Sequence, residues 1–118
     1  PGTRSMERFI ALAEERGIPT VYFLPPVNPG IRDRIRRLRY LANLEARLAE
    51  FEKKYPHFTY FKVEDLGWDG PFFSDPMHLN DWAAERFSVV AIDALDELIR
   101  RKMNGEVVHG LPAKKNWQ

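Results

Sequence analysis

Asp75 and His78 are the residues of this chain best suited to proton chemistry. They stand three apart in Phe72-Phe73-Ser74-Asp75-Pro76-Met77-His78-Leu79-Asn80, at the mouth of an amphipathic run. A carboxylate fixed beside an imidazole makes a general base, because it holds the ring in one tautomer and stabilises the imidazolium that forms. A spacing of three, on a turn or at the start of a helix, lets the carboxylate bend back to the ring nitrogen that faces away from a substrate. Such a base needs a nucleophile to activate, and no convincing one is present. Ser5, Ser74 and Ser88 are the serines of the chain. Ser5 reads as a helix cap, Ser88 falls inside a helix, and Ser74 has no strand-to-helix elbow before it.

The elements that must position these residues follow from periodicity. Met6, Phe9, Ile10 and Ala13 recur at helical spacing and Gly17 is a stop, which predicts a helix over 5–16 with Ser5 as N-cap. Thr20-Val21-Tyr22-Phe23-Leu24 is apolar without alternation and is bounded by prolines. It reads as a strand buried on both faces, as in a parallel sheet. Asn28 and Pro29 suit the N-cap and first position of a long helix. Its stripe is Ile31, Ile35, Leu38, Leu41, Leu44, Leu48, Phe51 and Tyr55, and it ends before Pro56. Residues 58–63 alternate and predict a second strand with one more exposed face. Gly67, Gly70 and Pro71 mark 64–74 as loop. A last helix begins near Asn80, its N-cap, and buries Trp82, Ala83, Phe87, Val90, Ala91, Ala94, Leu95, Leu98 and Met103.

The order helix, strand, helix, strand, loop, helix predicts an α/β layer with parallel strands. Residues 1–103 read as part of a single α/β domain and 104–118 as a C-terminal tail, with Trp117 a docking residue or part of a disordered end. Two strands make a poor sheet, so they require further strands, from a larger domain or from a second copy of the chain. The chain opens on Pro1 rather than Met and is read as a trimmed or processed product or a piece of something longer.

Bulk properties narrow the partners. The 118 residues suit one small domain, with 44% hydrophobic and 13% aromatic residues. Eighteen basic and 17 acidic residues leave a net charge of +1, which gives no global case for nucleic acid or a membrane surface. No apolar run approaches the roughly 20 residues that span a bilayer. The absence of cysteine excludes disulfides and thiolate metal sites.

The segment from Phe73 to Asn80 resembles the C-terminal catalytic block of the SGNH (GDSL-type) hydrolases and acyltransferases, whose D-x-x-H motif lies between the last strand and the C-terminal helix. Here the match is Asp75, His78 and Leu79-Asn80, with Ala83-Ala84 near the start of the helix. Residues 17–27 look like a late strand of that fold, entered from a helix and left through a proline-rich turn. The resemblance spans roughly residues 5–103. It implies a flavodoxin-like three-layer α/β/α domain and a Ser-His-Asp triad. In it His78 takes a proton from a serine hydroxyl and returns it to the leaving group, while Asp75 orients and charge-stabilises His78. It implies an ester or acyl-donor substrate, no cofactor, an envelope polymer as a possible acceptor, and an extracytoplasmic or cell-envelope setting. The G-D-S nucleophile block and the glycine and G-x-N-D blocks of the oxyanion hole are absent. The chain therefore resembles the C-terminal part of such a domain, expected to be inactive without the missing N-terminal half.

Other readings attach to other residues. A metal site built from Asp75, His78 and His57 or His109 lacks a second histidine at ligand spacing, so no metal is expected. Arg32, Arg34, Arg36, Arg37 and Arg39 read first as a solvated face offset by Glu45, Glu50 and Glu52, with contact to an anionic polymer as the alternative. Trp68, Phe72 and Phe73 flank the Asp-His segment and are candidate substrate-binding walls, Trp82 beside them being a packing residue. A non-catalytic module that dimerises through its amphipathic helices is the alternative to an enzyme.

Overall fold

The computed structural model describes residues 2–24, 26, 34–64, 66–68, 73–75 and 78–118, of which 2–3, 34–37, 73–75 and 78 are described by backbone alone. Helix α1 (Gly2–Glu15) leads to strand β1 (Thr20–Phe23), helix α2 (Arg34–Lys54) and strand β2 (Phe58–Glu64). Two short strands follow, β3 (Phe73–Asp75) and β4 (His78–Leu79), then helix α3 (Asp81–Met103), strand β5 (Gly110–Pro112) and a 3-10 turn over Lys115–Trp117. The main sheet runs β1-β2-β5, with both pairings parallel.

Helices cover both faces of that sheet. Ile10 of α1 and Leu44, Leu48 and Phe51 of α2 pack with Leu24, Phe58 and Tyr60 on one side. Ala83, Val90, Ala94 and Leu98 of α3 pack with Phe61, Leu111, Trp68 and Trp117 on the other. Burying a side chain the size of Leu48 or Phe61 is worth about 1.5–3 kcal/mol, so each layer is held by several such terms. Double coverage also corrects the expectation for β2. Its sequence alternates, yet Phe58, Thr59, Tyr60 and Phe61 are all buried, because this is the central strand and neither face meets water.

The helix ends are set by local chemistry. Gly17, at φ +67°, ends α1, with its own amide donating to Glu14 and the Ile18 amide to Ala13. Ser5 is not the cap expected of it: α1 already runs from Gly2, which places Ser5 in its interior. The expected start of the second helix, at Asn28 and Pro29, lies outside the described residues. Asn80 caps α3 as expected, its side-chain oxygen accepting from the Ala83 amide at 2.9 Å.

Three further expectations are corrected. Phe9, Leu38, Trp82 and Met103 belong to the helical stripes by spacing but are exposed, because each lies beyond the width its helix presents to the sheet. Strand β1 is half-buried rather than fully buried, because it lies at the edge of the sheet. Residues 104–118 are not a detached tail. Gly110-Leu111-Pro112 adds a third parallel strand to β2, and Trp117, 2% exposed, enters the core. A three-residue strand ending in proline carries almost no strand signal, and proline is tolerated there because β5 is an edge.

Candidate functional site

The chain leaves β2 at the C-terminal end of the sheet, the end at which open α/β sheets hold their ligands. Leu66 and Trp68 bury themselves directly after the strand. Trp68 is 2% exposed and its ring meets Phe87 edge-on at 6.2 Å. Its indole N–H donates to the Trp117 carbonyl at 3.1 Å. Of the three aromatic residues expected to wall a substrate site, Trp68 is thus a core residue. Phe72 lies outside the described residues, and Phe73 opens β3.

Strands β3 and β4 form an antiparallel hairpin in which Phe73 pairs with Leu79 and Asp75 with His78, with an irregularity of register between the two pairs. Asp75 and His78 are therefore cross-strand partners. Directly opposed residues in such a ladder have Cβ atoms about 4.5–5.5 Å apart, the separation at which opposite pairs interact. The sequence places the two on a turn or helix start, related by helical spacing. The fold instead relates them by strand pairing, and His78 stands two residues before the cap of α3. The side chains of Ser74 and Phe73 are outside the description. Ser88 turns back along its own helix, its hydroxyl donating to the Ala84 carbonyl at 3.0 Å. Ser5 is exposed on α1.

A groove of about 330 Å³ runs along α3 between Trp82, Arg86, Val89, Asp93 and Trp117. The Arg86 guanidinium lies between the Trp68 and Trp82 rings, 6.0 and 5.9 Å from their centroids. Its Nε is buried without a hydrogen-bond partner, while a terminal nitrogen reaches the Trp117 carbonyl at 3.5 Å. Asp93 accepts the Trp117 indole N–H at 2.9 Å, which fixes the outer wall. Sequence reasoning missed this groove, since Trp117 reaches it from 24 residues beyond Asp93.

Two carboxylate–imidazole side-chain pairs, also unforeseen, lie at the N-terminal end of the sheet, just before β2 and β5. The His57 ring meets the Glu14 carboxylate, which also accepts the His57 backbone amide at 2.7 Å. The His57 contacts hold the Glu14 carboxyl below its ordinary pKa, the ring contributing most and the amide next. His109 Nε2 lies 2.9 and 2.8 Å from the two Glu52 oxygens, and Glu52 also accepts the Thr59 hydroxyl at 2.7 Å. The His109 ring stacks on Tyr60 at 4.1 Å. Each imidazole is thus committed to one carboxylate. Among the described residues no group of three or more histidine or acidic side chains is arranged to hold a metal ion. Of the arginine cluster, Arg39 is exposed, and the side chains of the others lie outside the description.

No described helix is long and apolar enough to cross a membrane. No family model matches the chain, and no curated protein or solved structure matches it.

Proposed function

We propose that the chain is the C-terminal part of an SGNH-type serine ester hydrolase or O-acyltransferase with a flavodoxin-like arrangement, and that Asp75 and His78 are two members of its triad. The observation that carries this reading is the backbone pairing of Asp75 with His78 across the β3-β4 hairpin, directly ahead of helix α3. A cross-strand carboxylate restricts an imidazole to one orientation, which is what a general base requires.

In the reaction, His78 accepts the proton of a serine hydroxyl supplied by another part of the protein. The serine oxygen attacks the ester carbonyl, and the alkoxide of the substrate leaves with the proton returned by His78. A water, or a hydroxyl of an acceptor such as an envelope polysaccharide, then loses a proton to His78 and attacks the acyl-serine. The freed serine takes that proton back. Asp75 remains ionised and stabilises the imidazolium at each stage. Phe72 and Phe73, next to this pair, are the candidate walls for the acyl group.

The test is esterolysis of p-nitrophenyl acetate by the chain joined to, or expressed with, the part that carries the serine. The chain alone is expected to be inactive, and His78→Ala in the joined protein is expected to abolish turnover. Equal activity of the variant removes His78 from the mechanism.

A second reading, a non-catalytic module that dimerises, is favoured by one feature. Trp82, Val89, Ile92, Ile99 and Met103 are exposed along α3. Sedimentation separates the two: a stable dimer that Ile92→Glu converts to monomer supports the module.

A further inference from the structure

Strand β1 is an edge whose exposed side is built like an interior one. Its Thr20 amide donates to the His57 carbonyl at 2.9 Å, and the Leu24 amide to the Phe61 carbonyl at 2.8 Å. In a parallel ladder alternate residues turn both peptide groups to the same neighbour, so Thr20, Tyr22 and Leu24 serve β2. The N–H and C=O groups of Val21 and Phe23 point the other way, beyond the last strand among the described residues. Natural edges are blunted by charge, by an inward lysine or by a covering loop. β1 carries no charged residue, and it packs apolar side chains toward both helical layers, with Val21 and Phe23 against one core and Tyr22 against the other.

Helix α1 repeats the pattern. Ile10 and Ala13 are buried, while Phe9 and Leu12, on the adjoining strip of the same apolar face, are exposed. A groove of about 460 Å³ lies between that bare strip and β1, lined by Phe9, Leu12, Arg16, Ile18 and Val21. One extended segment along β1 would satisfy the peptide groups and cover the groove at once. Helix α1 leads into β1 as the helix of a β–α–β unit leads into its second strand, and in such units the first strand lies parallel to the second.

We propose that the outer edge of β1, with the α1 groove, is the docking site for one uncharged β-strand from outside this sequence, running parallel to β1 and apolar on both faces. The recognition is strand addition. Main-chain bonds to Val21 and Phe23 hold the segment, and Phe9, Leu12 and Ile18 select its apolar side chains. The inference rests on sheet geometry and stands whether or not Asp75 and His78 are catalytic.

The test is amide hydrogen exchange of the 118-residue chain with and without a short synthetic valine/isoleucine peptide flanked by lysines. In the chain alone, Val21 and Phe23 are expected to exchange faster than Tyr22. The peptide is expected to slow both, and to lose this effect when alternate amides are N-methylated. A nitroxide at the peptide N-terminus is expected to broaden Thr20 more than Leu24, the signature of parallel docking. The double variant Phe9→Asp, Leu12→Asp is expected to weaken peptide binding while cooperative unfolding persists. Val21→Pro removes an outward donor without touching the bonds to β2, and is expected to do the same. Failure of the peptide to protect Val21 and Phe23 overturns the proposal, as does broadening strongest at Leu24. Protection of these amides that appears only as the chain itself dimerises also overturns it, because the occupant is then a second copy.

Discussion

Two regions of the molecule pair an acidic residue with a histidine by different means. At the N-terminal end of the sheet, His57 is tied to Glu14 and His109 to Glu52, pairs separated by 43 and 57 residues in sequence. Each fastens a helix terminus to the foot of a strand. The Glu52 carboxylate takes both the His109 ring and the Thr59 hydroxyl, while Tyr60 stacks on the His109 ring. Asp75 and His78 are instead paired across a hairpin of the backbone, just ahead of the α3 N-terminus. A carboxylate beside an imidazole is therefore not a catalytic signature on its own. The Glu14–His57 and Glu52–His109 pairs join distant segments and act as structural clasps, whereas Asp75–His78 is the pair proposed as a base.

The largest expected effect tests that division directly. In the joined, serine-bearing protein, His78→Ala or Asp75→Asn should lower kcat by about 10³–10⁴ with the unfolding midpoint little changed. His57→Ala and His109→Ala should leave kcat intact. If a clasp histidine lowers kcat as much as His78→Ala does, with folding unimpaired, the comparison is wrong.

The clasps should register in stability instead. Glu52→Ala leaves the Thr59 hydroxyl, 3% exposed, without its acceptor and frees His109 from its partner. The expected loss is about 1–3 kcal/mol, read by urea denaturation of the chain. An unchanged urea midpoint would show that Thr59 and His109 find other partners and that this pair is incidental. A smaller effect should come from the junction of the two regions. Asn80→Ala removes the acceptor for the Ala83 amide, and loss of that cap should cost about 1 kcal/mol.

How much of this contrast was legible in the sequence follows the range of the interactions. The cap at Asn80, the stop at Gly17 and the apolar runs of β1 and β2 are local, and each stands where its residues predict. The proximity of Asp75 and His78 was legible from a spacing of three, although strand pairing, not a helical turn, produces it. Strand β5 was not, because Leu111 and Pro112 acquire strand geometry only through β2. Nor was the burial of Trp117, which depends on Asp93 and the Trp68 indole meeting it from distant segments. The exposure of Trp82 and Met103 escaped periodicity for the converse reason: spacing tells which residues share a helix face, not how wide a face the sheet covers. The Glu14–His57 and Glu52–His109 clasps have no spacing rule at all, since the sheet topology alone brings them together.

The smallest expected effect sharpens the comparison through pH. Glu14 is held below its ordinary pKa chiefly by the His57 ring and then by the His57 amide. A carboxyl whose folded pKa is depressed binds fewer protons in the native state than in the unfolded one, so it stabilises the fold at higher pH. That stabilisation is fully present above the unfolded glutamate pKa of about 4.3, and it is lost as pH falls through the lower folded value. Glu14→Gln keeps an acceptor but cannot ionise. The stability gap between wild type and Glu14→Gln should therefore be open at pH 6 and close as the pH drops below about 4. Urea midpoints of both proteins across that range measure it. A gap that persists unchanged at the acid end would mean that the Glu14 contact acts through shape rather than charge, and the N-terminal clasp would then differ from the Asp75–His78 pair in kind as well as in place.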